Sequence, residues 1–136
     1  MGCLACHDPH KSTKYGLGGF KGQSTCLDCH QQETVVVAPK AHSTCTSCHM
    51  PYVGKSAVSV STAYEGGTLP RGDIRSHIFR IQASADWNMF TDDGKFVRID
   101  SLGRASLSLE YSCLGCHENR GKAWAAQNAE RIHAGR

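Results

Sequence analysis

Four times in this chain two cysteines stand three positions apart with a histidine directly after the second. The strings are Cys3-Leu-Ala-Cys6-His7, Cys26-Leu-Asp-Cys29-His30, Cys45-Thr-Ser-Cys48-His49 and Cys113-Leu-Gly-Cys116-His117, and together they use all 8 cysteines. Two thiols at this spacing can add across the two vinyl groups of one porphyrin and become thioethers, and the adjoining imidazole then meets the iron as an axial ligand. The expected cofactor is therefore covalently bound haem c, one for each of the four motifs. Cys3, Cys6, Cys26, Cys29, Cys45, Cys48, Cys113 and Cys116 would hold the rings, with His7, His30, His49 and His117 as proximal ligands. Iron held in this way moves electrons. Half of a zinc site, a redox dithiol and a set of disulfides are the competing explanations of such cysteines. None of them requires a histidine after every second cysteine.

The histidine count points the same way. Of the 8 histidines, four close the motifs, and His10, His42, His77 and His133 stand elsewhere. Four irons need four distal ligands if each is six-coordinate, so these four are the candidates; the bland alternative for each is an ordinary surface or core histidine. Methionine is the rival ligand and would raise the potential relative to a second histidine. Met50 directly follows a proximal histidine and is too close along the chain to reach the opposite face. Met89 is sterically free to serve.

Position along the chain limits the pairings. His10 lies three residues beyond His7, and His42 lies three before Cys45. To reach the far face of the neighbouring ring, the chain would have to round its edge in a few residues, so each is expected to ligate a different haem. Such cross-ligation ties haems within about 10 Å of one another. His77 is far enough from His49 to serve that haem and is expected to. His133 can reach any haem, or one in a neighbouring subunit.

These ligands need little conventional structure to carry them. A length of 136 residues predicts one domain, 1–136. Only 7% of residues are aromatic and 14 are glycine, which makes a thin core for this length. Four large apolar rings would serve as core instead, and the haem-free chain should be largely unfolded. The expected fold is mostly irregular, with short α-helices and one small β-hairpin, wrapped around four haems. Residues 1–50 read as loops and short helical turns at the motifs, with Val35-Val36-Val37 as an edge strand or linker. From Gly54 to Gly72 the Ser, Gly, Thr and Pro content predicts a long ordered loop. The hairpin is expected where Asn88–Thr91 and Lys95–Ile99 flank Asp92-Asp93-Gly94, an Asp-Gly turn. A helix capped by Asp100 or Ser101 should carry Leu102, Ala105 and Leu109 toward Cys113, and an Ala-rich helix should run from Lys122 toward His133. Trp124 on that helix is expected to pack against a haem.

Charge and hydropathy exclude some functions. The formal net charge is +3, with basic residues scattered and no basic stripe, so nucleic acid is not an expected partner. Eight propionates and four ferric cores would shift the net charge to about −1 when oxidised and about −5 when reduced. No stretch is long or apolar enough to cross a membrane. Haem attachment of this kind occurs outside the cytoplasm, so an exported precursor is expected, with its leader outside this numbering.

Three segments carry a family resemblance: Cys6-His-Asp-Pro-His10, His42-Ser-Thr-Cys-Thr-Ser-Cys-His-Met-Pro51 and Gly72-Asp-Ile-Arg-Ser-His77. They resemble multihaem c-type cytochromes of the cytochrome c-554 and pentahaem nitrite reductase lineage. The motif count and the Gly72–His77 segment look most like the extracellular tetrahaem cytochromes that polymerise into conductive filaments. The resemblance covers about half of the chain. It implies haems stacked in alternating parallel and T-shaped pairs, copies of the chain as partners, and a histidine that can cross a subunit boundary. Redox proteins or extracellular acceptors would be the other partners. Electron conduction in such a filament is the leading expectation and a monomeric periplasmic shuttle the alternative. Reduction of nitrite, hydroxylamine or a similar small oxyanion ranks lower: the chain has no Cys-x-x-Cys-Lys string and enough histidines to close every iron. By this reading it is not an enzyme.

Overall fold

The computed structural model describes residues 2–11, 24–31 and 44–133. They fall in two compact units, Met1–Val35 and Val36–Arg136. In the first unit a 3-10 turn spans Cys3–Ala5 and a one-turn helix, α1, spans Ser24–Leu27. His42, Met1 and Val35-Val36-Val37 lie outside the described residues.

The second unit starts at α2, Cys45–His49. Five residues make a poor helix alone, because most of their backbone groups lie at an end. Side chains supply what is missing. The Thr44 amide donates to the Ser47 hydroxyl at 3.3 Å, and the two hydroxyls lie 2.9 Å apart. Pro51 stops the helix, since it cannot continue the hydrogen-bond ladder.

Beyond Pro51 the chain forms an antiparallel ribbon of β1, Tyr52–Tyr64, and β2, Gly67–Arg75. This replaces the loop expected over Gly54–Gly72. Val58, Val60 and Thr62 alternate with serine and alanine, a period-two pattern hidden under a loop-like composition. The ribbon turns at Glu65–Gly66, where Gly66 has φ +103°, a conformation that favours glycine. Regular pairing runs from Tyr64↔Gly67 to Ser59↔Gly72 and then breaks in a bulge before Gly54↔Ile74. Asp73 fills the break. Its carboxylate accepts from the amides of Ser56, Ala57 and Val58 at 2.6, 3.1 and 3.4 Å and from the Ser56 hydroxyl at 2.7 Å. Gly72 has no alternative there: a Cβ at this position would overlap the Gly54 carbonyl.

The hairpin expected at 88–99 is reduced to a single bridge, Phe90↔Val97, closed by a turn in which Gly94 has φ +70°. The helix expected from 101 is also absent before Glu110. Ser106-Leu107-Ser108-Leu109 is instead buried throughout. Leu107 bridges Ile81, its amide donating to the Arg80 carbonyl at 2.7 Å and its carbonyl accepting from Gln82 at 2.9 Å. Ser-Leu alternation suits an extended buried segment better than a helix. A π-helical turn follows at Glu110–Leu114, and α3 spans Lys122–Ala129 as expected.

Two apolar clusters hold this unit: Leu69, Met89, Leu107 and Tyr111, and Leu109, Leu114 and Ala125. Met89, the methionine sterically free for iron, is 1% exposed in the first cluster. Lys122 joins α3 to the rest: its ammonium donates to the Trp87 carbonyl and the Asn88 side chain, both at 2.9 Å, and lies 3.5 Å from the Glu110 carboxylate.

Candidate functional site

All four motifs are wound into a single turn. The amide of His7 reaches the carbonyl of Cys3 at 2.9 Å, that of His30 reaches Cys26 at 2.9 Å, and that of His117 reaches Cys113 at 3.1 Å. The remaining motif is α2 itself. Residues spaced by three and four share one side of such a turn. The winding therefore gathers two thiols and an imidazole on one side, the arrangement that double attachment to a porphyrin and proximal ligation require. None of the eight cysteines is in a disulfide.

The motif at Cys45–His49 is the most fully braced. The His49 Nδ1 lies 2.7 Å from the Phe79 carbonyl, which fixes Nδ1–H as donor and leaves Nε2 as the nitrogen with a lone pair for a metal. A carbonyl in this position also orients the ring and raises its basicity. Arg75 braces the helix end: its Nη1 donates to the carbonyls of Thr46 at 3.2 Å and Met50 at 2.9 Å, and its guanidinium lies 4.4 Å from the Tyr52 ring centre. The Ser76 amide donates to the Pro51 carbonyl at 2.8 Å. Thus the segment that begins at Gly72 supports both the ribbon and this motif. The sequence marked its residues as familiar without showing their task.

The motif at Cys113–His117 lies beside it, because α2 packs on the π-helical turn. Burial pushes the Cys113 thiol up to about 12, and the neighbouring Cys48, Cys116 and Glu110 add to the shift. Cys48 is raised chiefly by burial, then by Cys116 and Cys45. Among the described residues no group of three or more His, Cys, Asp or Glu side chains could hold a metal ion. Trp124 stands by His117, with ring centres 4.8 Å apart and 50° between planes, and Arg120 lies 5.6 Å from the Trp124 ring centre.

Outside the motifs, His10, His77 and His133 are among the described residues. His10 is exposed, its amide bonded to the Asp8 carboxylate at 3.0 Å. His77 is exposed and meets Phe79 edge-on at 6.3 Å. The His133 ring centre lies 6.0 Å from that of His49, with 36° between the planes. Paired thiols on one turn, an imidazole with its ligating nitrogen directed by a carbonyl, and apolar Leu4 and Leu27 exposed within their motifs fit a haem c at these strings. Among the described residues no helix is long and apolar enough to cross a membrane.

Residues 1–35 match the family model described as a doubled CXXCH motif, which coincides with the first compact unit. A dissimilatory sulfite reductase, MccA, of Wolinella succinogenes is 28% identical over 105 residues, covering 60% of this chain. The chain spans 15% of that relative's length. No solved structure matches the chain significantly. The motif match and this distant relationship support a multihaem c-type cytochrome that transfers electrons. The relationship also corrects one expectation, that the chain is not an enzyme, because the matching stretch belongs to a protein named for catalysis. Counting histidines does not place them on irons, and the lack of a Cys-x-x-Cys-Lys string, the other ground for that expectation, does not close an iron either.

Proposed function

We propose that this multihaem c-type cytochrome carries electrons through four haems, one at each Cys-x-x-Cys-His turn, and that His10, His42, His77 and His133 supply the distal ligands. When bound, haem supplies an iron that alternates between ferric and ferrous at a potential set by its axial ligands. The chain's own part is to fix the rings, orient the imidazoles and hold neighbouring sites close. The single observation behind this reading is the repeated winding of every motif into one turn, with the His amide on the first Cys carbonyl. The side-by-side packing of α2 and the π-helical turn favours short steps between sites. The protein is exported in this reading, and copies of it join end to end in an extracellular filament, a heterologous contact that does not close.

Pyridine haemochrome analysis of purified material tests the cofactor count: four haems per chain are expected, and fewer would overturn it. Electron microscopy of the native material tests assembly, with filaments expected and discrete single-subunit particles refuting the polymer.

A second reading rests on the relationship to the sulfite reductase. Here the chain contributes haem sites to a reductase acting on a sulfur oxyanion, and one iron keeps an open position. Carbon monoxide binding to the reduced protein together with sulfite-dependent reoxidation would favour it. Low-spin spectra unresponsive to both would dismiss it.

A further inference from the structure

We infer that His133 is the distal ligand of the haem held by Cys45, Cys48 and His49, so that the last described turn of the chain closes the iron of the third motif. This rests on the haem reading above and assigns one pairing within it.

The argument begins with the two rings. Their centres are 6.0 Å apart and their planes differ by 36°. Rings in face contact have atoms about 3.5–4 Å apart, so this pair is too widely spaced to be stacked. An imidazole nitrogen bonds a transition metal at about 2 Å, and two imidazoles on opposite sides of one iron then have centres roughly 6 Å apart. The observed spacing matches one shared metal. Orientation agrees on the His49 side, where Nδ1 is engaged by the Phe79 carbonyl at 2.7 Å and Nε2 is left for iron. A modest angle between imidazole planes is no obstacle, because each ring rotates about its own metal–nitrogen axis.

The chain path also supports the pairing. His133 lies four residues beyond α3, and α3 packs on the π-helical turn that carries Cys113. Lys122 anchors the start of that helix to Trp87, Asn88 and Glu110. The segment that leaves the fourth motif therefore delivers its terminal histidine to the third. One stretch of peptide ties the two haem sites together, and His77 becomes available to another iron.

The test uses the haem-loaded protein. Haem content is measured first, so that fewer than four haems counts against the underlying reading and leaves the pairing to be judged separately. His133→Gly is then expected to convert one iron per chain from low to high spin by electron paramagnetic resonance. The reduced variant should bind one equivalent of carbon monoxide, and added imidazole should restore the low-spin signal. His77→Gly must leave the iron at Cys45 and Cys48 low-spin. A structure of the parent holoprotein at side-chain resolution reads the same pairing, and it decides the matter if His133→Gly does not accumulate. A fully low-spin His133→Gly variant with four haems, or density placing any other side chain on that iron, overturns the inference.

Discussion

Replacing Arg75 with methionine removes two hydrogen bonds to the end of α2 while keeping an apolar stem of similar length. In the parent, Nη1 donates to the Thr46 carbonyl at 3.2 Å and the Met50 carbonyl at 2.9 Å. Hydrogen bonds from a charged donor contribute about 1.5–3 kcal/mol when sheltered; partial exposure of Arg75 brings this nearer to about 1 kcal/mol each. The guanidinium over Tyr52 at 4.4 Å adds roughly 0.5 kcal/mol at an exposed ring. The sum is a loss of about 2–3 kcal/mol. Denaturant unfolding of the haem-loaded protein, followed at the Soret band, measures it. Arg75→Lys keeps the charge and one ammonium that can reach a carbonyl, but loses the planar fork, so it should fall between parent and Arg75→Met. A methionine variant within about 0.5 kcal/mol of the parent would refute the assignment of Arg75 as the brace of this motif.

Two further outcomes concern the same segment. Gly72→Ala places a methyl group on the Gly54 carbonyl, and the ribbon must shift to admit it; a loss of about 1–3 kcal/mol and altered amide shifts at Ser56–Val58 are expected, against no change if the strands approach less closely. Asp73 is held well below its ordinary 3.8 by the amide and hydroxyl of Ser56. A folded-state value below the unfolded one means the carboxylate's contribution is complete above 3.8 and is lost as pH falls through the folded value. Amide shifts of Ser56–Val58 should therefore titrate with a midpoint clearly below 3.8, and a midpoint at or above it contradicts the role.

What the sequence disclosed followed from locality. A Cys-x-x-Cys-His string specifies its own turn, because every group it needs lies within five residues. α3 was legible for a similar reason, since Ala-rich sequence from Lys122 favours helix without help from elsewhere. The ribbon was misread because Ser, Gly and Thr suggested a loop, whereas alternation at Val58, Val60 and Thr62 carried the true period. The Asp-Gly turn at 93–94 did form, but its flanks pair at one bridge, Phe90↔Val97. Leu102, Ala105 and Leu109 have helical spacing, yet Leu107 is paired to Ile81, a contact between residues far apart in sequence. The Phe79 carbonyl and the Arg75 brace could not be seen at all, since backbone acceptors and the far ends of side chains leave no trace in residue type.

The ribbon is fastened at both ends. Near its base the Ser76 amide holds the Pro51 carbonyl beside α2, and at its tip the Glu65 amide donates to the Glu118 carbonyl at 3.0 Å, one residue past His117. Each residue added to a strand lengthens it by about 3.3 Å, more than a hydrogen bond can stretch. Those thirteen- and nine-residue strands are thereby tied beside the third motif at one end and beside the fourth at the other. Insertions that the chain absorbs without harm belong elsewhere, in stretches that touch neither anchor.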